Sequence, residues 1–254
     1  MALISTVRTT ALQAFADSVQ QEISGLGSLE EAAQCYTTKL YQEFRESVVL
    51  ARLFATVSYQ QLPFENKIFV DHLARKKGLG HELHDQTPVL SLLGTSGEEP
   101  GWNERRNSLG HMGIPLISAA FIDCAPMMSR LLHQLGLGLD WIDQGDTHIV
   151  KRTMGSISGL FFVPDAASEK DHEGQNIIQA QDFVSRYSVK TVFGFGGGYL
   201  ESSTFNTTII FLRETLDENK ARQTAAALSF FKTATVELAK HNIFADPAKV
   251  SSSS

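Results

Sequence analysis

Cysteine, basic charge, long apolar runs and internal repeats are all scarce in this sequence, and each shortage excludes a class of protein. Two cysteines, Cys35 and Cys124, are too few for a disulfide framework, and neither stands in a C-x-x-C pair. That usage fits a reducing, cytoplasmic setting. With 22 Lys and Arg against 28 Asp and Glu, the formal net charge is −6. The chain lacks the concentrated cationic surface that phosphate backbones demand, so nucleic acid is not an expected partner. Arg75, Lys76 and Lys77 form the only dense basic cluster, short enough to be the edge of a solvated loop. No stretch approaches the roughly eighteen apolar residues of a membrane helix. The N-terminus, MALISTVRTTALQAFADS, is not a basic start followed by an apolar core and a cleavage site. No membrane insertion is expected. Repeats and low-complexity tracts are missing apart from the final SSSS.

What is present is an ordinary globular composition, 43% apolar and 20% charged, in a chain long enough to bury about three quarters of its unfolded surface. Three apolar runs, SGLFFV, KTVFGFGGGY and TTIIFLR, have the length and the Phe, Val, Ile and Thr content of strands. Upstream, SVVLARLFATV (47–57) and PVLSLLGTSG read as two further strands, and HMGIPL as a short one. Apolar spacing predicts a helix over 5–24, and a capping box, Ser28-x-x-Glu31, opens a second. FENKIFVDHLARKKG is compatible with a helix, Asp123 is a plausible N-cap before Pro126, and IIQAQDFVSRY has helical length. Thr215-x-x-Glu218 is a second capping-box pattern, leading into an uninterrupted helical stretch in which Ala221, Ala225, Leu228, Phe231, Thr235 and Leu238 form a stripe. Such a stripe either packs on the chain's own sheet or forms a homodimer interface. The organisation expected is an N-terminal helix (1–27), one domain (28–245) and a flexible tail (246–254). Its core should include Val49, Leu53, Leu90, Leu92, Phe161, Val163, Val192, Phe193, Ile209 and Phe211.

Catalytic and metal signatures are absent or fail on inspection. GSISG (155–159) has Ile157 where a nucleophile elbow requires serine. His81 and His84 in HELHD lack the spacing of H-E-x-x-H, and a solvated connector explains them. Cys124 has no local histidine partner and reads as a small apolar residue. Gly194, Gly196, Gly197 and Gly198 suggest a dinucleotide loop, but position six is Tyr199 and the next element is a strand, so no helix N-terminus would meet a phosphate. A hairpin or bulge accounts for them. More suggestive is the long loop WNERRNSLGHMGIP, in which Trp102, Arg105, Arg106 and His111 place an aromatic platform, two fixed cations and hydrogen-bonding groups within ten residues. With Gly196, Gly197 and Tyr199 of the glycine-rich turn, these are the candidate ligand-binding residues. No catalytic and no metal-ligating residue is assigned.

The order of elements, with SLEEAAQCYTTKLYQEFRESVVLARLF, LLGTSGEEPGWNERRNSLGHMGIPL, IIQAQDFVSRYSVKTVFGFGGGYL and FKTATVELA, resembles GAF-like sensory input domains of an uncharacterised bacterial type. Such domains are often found upstream of histidine kinase or diguanylate cyclase modules. The resemblance runs from about residue 28 to residue 240. It implies an α+β, GAF/PAS-like antiparallel sheet of about six strands, with helices on its faces and long terminal helices. It further implies a non-catalytic, small-molecule-binding sensor or signalling domain, relaying ligand binding through its terminal helices. A homodimer and a separate kinase or cyclase effector are the expected partners, beside a small molecule whose identity, like any cofactor, is not specified. No tetrapyrrole-attaching cysteine carries over, since Cys35 lies in the second helix and Cys124 has no matching context. As the chain carries no kinase, cyclase or DNA-binding segment after its last helix, it is expected to be a standalone sensor, a partner subunit or an excised input domain. The alternative is a small enzyme acting on an anionic metabolite through the Trp102 to His111 loop.

Overall fold

Near-continuous apolar runs, whose successive side chains point to opposite faces and so let a strand bury both, set the architecture. The computed structural model describes residues 2–108, 110–136, 139, 142, 158–199, 202 and 204–246. GSISG before Ser158, most of the connector 140–157 and all but the first residue of the 246–254 tail lie outside the described residues. Helices α1 (Thr9–Ile23) and α2 (Leu29–Glu43) lead into strand β1 (Val48–Ser58). Then follow α3 (Phe64–Lys76), β2 (Pro88–Gly97), the short β3 (Gly113–Pro115), α4 (Ala119–Asp123) and α5 (Pro126–Gln134). After β4 (Ser158–Val163) come α6 (Gln181–Arg186), β5 (Thr191–Gly198), β6 (Phe205–Leu212), α7 (Glu218–Leu228), α8 (Phe230–Ala234) and α9 (Val236–His241). The six strands form one sheet in the order β3-β2-β1-β6-β5-β4, and every neighbouring pair is antiparallel.

Each face of the sheet has its own core. Leu50, Phe54, Phe161, Val192, Ile209 and Phe211 pack with Leu131, Leu132 and Leu135 of α5 and with Ile178 and Val184 around α6. Ala51, Leu53, Phe193, Ile210 and Leu212 pack on the opposite face with α1, α2, α7 and α8, through Leu12, Tyr36, Leu40, Leu228 and Phe231. All ten core residues expected from the sequence are buried. The register between β1 and β6 shifts between Val48 and Leu50, and consecutive Val49 and Leu50 both join the first core.

Helix α2 begins where the capping box predicts. The Ser28 hydroxyl accepts from the Glu31 amide at 3.2 Å, and Glu31 Oε2 accepts from Ser28 Oγ at 3.0 Å and from the Gly27 amide at 3.1 Å. Three expectations need correction. Asp123 is not an N-cap: Ser118 caps α4, accepting from the Phe121 amide at 3.2 Å, while α5 restarts at Pro126 after Ala125. Asp123 instead accepts from Ser129 Oγ at 2.6 Å. The C-terminal helix is neither capped by Thr215 nor continuous. The Asp217 carboxylate accepts from the Lys220 amide at 2.9 Å, and breaks fall at Ser229 and Thr235. Their hydroxyls donate to the Ala225 carbonyl at 2.6 Å and the Phe231 carbonyl at 2.7 Å, one turn back, drawing on groups the helix uses. Finally, the glycine-rich segment is no turn: Gly194, Gly196, Gly197 and Gly198 lie within β5, paired with β6.

The C-terminal stripe belongs to the chain's own core. Ala221, Ala225, Leu228 and Phe231 are buried, and the Phe231 ring sits 5.3 Å from that of Tyr36 on α2. The same face shows how closely helix and sheet approach. A Cβ on Gly94 would stand 2.3 Å from the Ala33 carbonyl oxygen of α2, whereas one on Gly25 would meet nothing within 4 Å. Gly94→Ala should therefore cost about 1 to 3 kcal/mol by forcing α2 off the sheet. Gly25→Ala should be close to neutral. Equal urea midpoints for the two variants would show that α2 and β2 are not in backbone contact.

Candidate functional site

Between the first sheet face and α4, α5 and α6 lies a cavity of about 570 Å³. Its floor is the middle of the sheet, where antiparallel register aligns Phe161 on β4, Gly194 on β5, Ile209 on β6, Arg52 on β1 and Thr95 on β2 in one row across five strands. Leu50, Phe54 and Phe211 flank that row, while Phe121, Ile122, Met127 and Met128 of α4 and α5, with Phe183 of α6, form the walls. The absent side chain of Gly194 leaves room that Phe161 and Ile209 fill, each 3.4 Å from where its Cβ would be.

Arg52 is the exceptional member. It projects from the central strand into an otherwise apolar floor, its Nε is shut off from solvent without an acceptor, and its guanidinium takes part in no hydrogen bond or ion pair among the described residues. Burial lowers its pKa to about 10, which still leaves it charged at neutral pH. In the neighbouring row position, Thr95 Oγ1 is also buried without a partner. His111, on the loop before β3, lines the same cavity. Packing around the imidazole and, secondarily, the nearby Arg52 charge lower its pKa from 6.5 to about 4. The ring nevertheless keeps open surface, which tempers the energetic weight of that shift. At neutral pH His111 is a neutral hydrogen-bonding group beside a fixed cation.

The loop that carries Trp102 and His111 is pinned at several points. Asn103 Oδ1 accepts from Ser96 Oγ at 3.0 Å and from the Gly97 amide at 2.9 Å. The Trp102 ring stacks edge-on against Phe183 at 5.6 Å and Tyr187 at 4.8 Å, and the Tyr187 hydroxyl donates to Glu99 at 2.7 Å. Arg105, only 2% exposed, turns away from the cavity. Its Nε donates to Glu30 Oε1 at 2.6 Å, its Nη1 donates to Asn66 Oδ1 at 3.0 Å, and it lies over the Phe244 ring at 5.5 Å. Arg106 pairs with Glu30 and Glu104, each at 3.2 Å.

Of the seven residues singled out in the sequence, the structure brings Trp102 and His111 to one cavity. Arg105 and Arg106 are held by Glu30 behind the loop. Gly196 is on the cavity face, one row beyond Arg52 beside Thr207 and Phe54, but does not line the cavity. Gly197 points to the other face. Tyr199 is buried there too: Asn206 Nδ2 donates to its hydroxyl at 2.9 Å, and that hydroxyl meets Thr235 Oγ1 at 2.8 Å. Since Thr235 itself donates to the Phe231 carbonyl, Tyr199 is the donor to Thr235, and burial raises its pKa to about 12. Arg52 was missed by sequence reasoning, although a lone cation inside VVLARLFATV is a detectable break in an apolar strand. Among the described residues, no group of three His, Cys, Asp or Glu is placed to hold a metal ion, and no helix is long and apolar enough to cross a membrane.

Two outcomes follow from these environments. Glu30→Ala leaves the Arg105 charge buried without its carboxylate, and should cost about 3 to 5 kcal/mol in a urea titration; a loss below about 1 kcal/mol would show that the pair does not hold the loop. Because the pKa of His111 is lower in the fold than the ordinary 6.5, the unfolded chain binds the extra proton as pH falls from about 6.5 towards 4, and stability drops across that window. His111→Gln should flatten this part of the stability–pH curve. An unchanged slope would mean that His111 titrates normally.

No protein-family model and no curated protein matches the sequence. Solved structures similar to it include the phycoerythrobilin-bound GAF domain of a cyanobacterial phytochrome, at 9% identity over 92% of this chain and 97% of that one, TM-score 0.44. The GAF domain of an Acinetobacter phosphoenolpyruvate-protein phosphotransferase is similar at 9% identity over 94% of this chain and 100% of that one, TM-score 0.42. The chromophore-binding domain of Stigmatella aurantiaca phytochrome P1 follows at 8% identity, with 92% and 61% covered and a TM-score of 0.43. Likeness at these levels carries no ligand or residue role across. The architecture of this chain, an α+β fold with helices on both faces of a six-stranded antiparallel sheet, is the one its resemblance to GAF-like domains implies.

Proposed function

We propose that this chain is a non-catalytic sensor domain whose small-molecule ligand occupies the cavity above Arg52. The observation that supports this most directly is the cavity itself. At about 570 Å³ it falls within the range of small-molecule sites, roughly 300 to 1,000 Å³, and like them it is mostly apolar with a few converging polar groups.

The relay through the terminal helices has a physical route. An occupant would rest on Leu50, Arg52 and Phe54 of β1, while the alternate residues Ala51, Leu53 and Ala55 of the same strand belong to the core shared with α1, α2, α7 and α8. A displacement of β1 on one face is thereby felt by helices on the other. A cytoplasmic setting, homodimerisation and a separate kinase or cyclase effector complete this reading. The dimer contact would use a surface other than the C-terminal stripe, whose apolar groups, apart from the half-buried Leu238, are already covered.

The test is native mass spectrometry, with an absorption spectrum, on freshly purified protein and on Ala125→Trp, which fills the cavity from the turn that precedes α5. The expected result is a small molecule carried by the natural chain, lost from Ala125→Trp, and recovered chemically unchanged after prolonged incubation. Hydrogen exchange in α7 to α9 should slow when it binds. A molecule retained equally by Ala125→Trp would place the ligand elsewhere, and its conversion to a product would make the chain an enzyme.

A further inference from the structure

We propose that the ligand of this cavity is a small monocarboxylate with an apolar body, its carboxylate seated on the Arg52 guanidinium and its body against Trp102, Phe183 and Ile209. The inference rests on the reading of the cavity as a ligand site and adds the chemical class.

Charge is the first argument. A guanidinium does not shed its proton in a protein, and a charge removed from water without a counter-ion is unfavourable. Arg105, Arg106, Arg130 and Arg213 each have a carboxylate within 4.0 Å. Among the described residues Arg52 has none, and no Asp or Glu lines the cavity. Arg52 is half-buried, with its Nε shut off from solvent and its Nη atoms open to the cavity, so what enters is placed to supply a counter-ion. Its geometry favours carboxylate, because the planar fork of a guanidinium matches two carboxylate oxygens.

The count of charges follows from the surroundings. One unpaired guanidinium at the floor balances one negative charge. Among the described residues one further cation lines the cavity, Lys77, which is exposed just past the end of α3 and keeps its hydration. His111 stands beside Arg52 as a neutral group able to share one hydrogen bond with a carboxylate oxygen. Most of the remaining lining, Leu50, Phe54, Ile122, Met128 and Phe211 among it, is apolar and suits hydrocarbon or an aromatic ring, and the polar Gln179 and Cys124 beside it bring no further charge.

Isothermal titration calorimetry on the full chain with two matched pairs, octanoate against 1-octanol and 2-naphthoate against 2-naphthylmethanol, tests this. In at least one pair the acid should bind about ten- to a hundredfold more tightly than its alcohol. Arg52→Met should erase that difference by weakening the acid while leaving the alcohol unchanged. Without ligand, Arg52→Met should melt at a higher temperature than the natural chain, since it removes an unpaired charge and keeps the volume. Acid and alcohol binding equally would overturn the monocarboxylate and leave the cavity as a ligand site. If no member of either pair binds, both readings fall. A lower melting temperature for Arg52→Met would show that Arg52 serves the fold and would overturn the proposal independently of any titration.

Discussion

The buried pair between Glu30 and Arg105 is the constraint on which the rest of the site depends. Glu30 comes from the first turn of α2 and Arg105 from the loop after β2, and the two are joined by Asn66 of α3, whose amide donates to Ser91 Oγ of β2 at 3.1 Å and to the Met112 carbonyl at 3.2 Å. The other Glu30 oxygen accepts from the Ala245 amide at 3.1 Å. Four separate parts of the chain thus meet on two charges that water scarcely reaches. Such a pair adds little net stability compared with apolar packing, but it tolerates few alternative arrangements, because every misplacement leaves a buried charge exposed to nothing. Its consequence is positional. The loop cannot drift while Arg105 is held, and Trp102 and His111, on either side of Arg105, are delivered to the cavity edge by an anchor that takes no part in the cavity.

The sheet divides labour between its faces in a similar way. On one face the helices lie so close that Gly94 meets the α2 backbone, and the polar chain Asn206, Tyr199, Thr235 and the Phe231 carbonyl ties β5 and β6 to the C-terminal helices. On the other face α5 closes on the sheet at its C-terminal end, where a Cβ on Gly159 would stand 2.2 Å from the Gln134 carbonyl oxygen, while its N-terminal end, α4 and α6 leave the space of the cavity. The former face gives the strands a fixed frame, and the latter, held at one end only, gives them something to hold. Strand β1 belongs equally to both, with Arg52 between Ala51 and Leu53.

Much of the fold was legible because burial on both faces of a strand writes an unbroken apolar run into the sequence, and burial on one face of a helix writes a period. Val192 and Phe193, adjacent in one apolar run, had to be core whichever way the strand faced. The capping box at Ser28 specified a helix start to the residue. Errors arose where several local solutions compete for the same backbone groups: Thr215 and Asp217 both could cap α7, and Ser229 and Thr235 divert carbonyls that a continuous helix would use. For the site, composition found the right loop but could not tell a cation that faces a ligand from one that faces a carboxylate. Arg105 found Glu30, 75 positions away, and no local pattern announces such a partner. Arg52 was hidden by the opposite bias, since a strand that is apolar on average invites the reader to overlook its one charge.

An unpaired cation fixed to the central strand also bears on the lifetime of the molecule. Without a counter-ion the chain carries an electrostatic penalty at the middle of its sheet, and any bound counter-ion removes it, so occupancy and global stability are coupled through the same residue. Copies that find no ligand would open more often and meet proteases sooner, whereas filled copies would persist. The amount of this protein in a cell would then itself report the supply of what it binds, before any signal passes to another molecule.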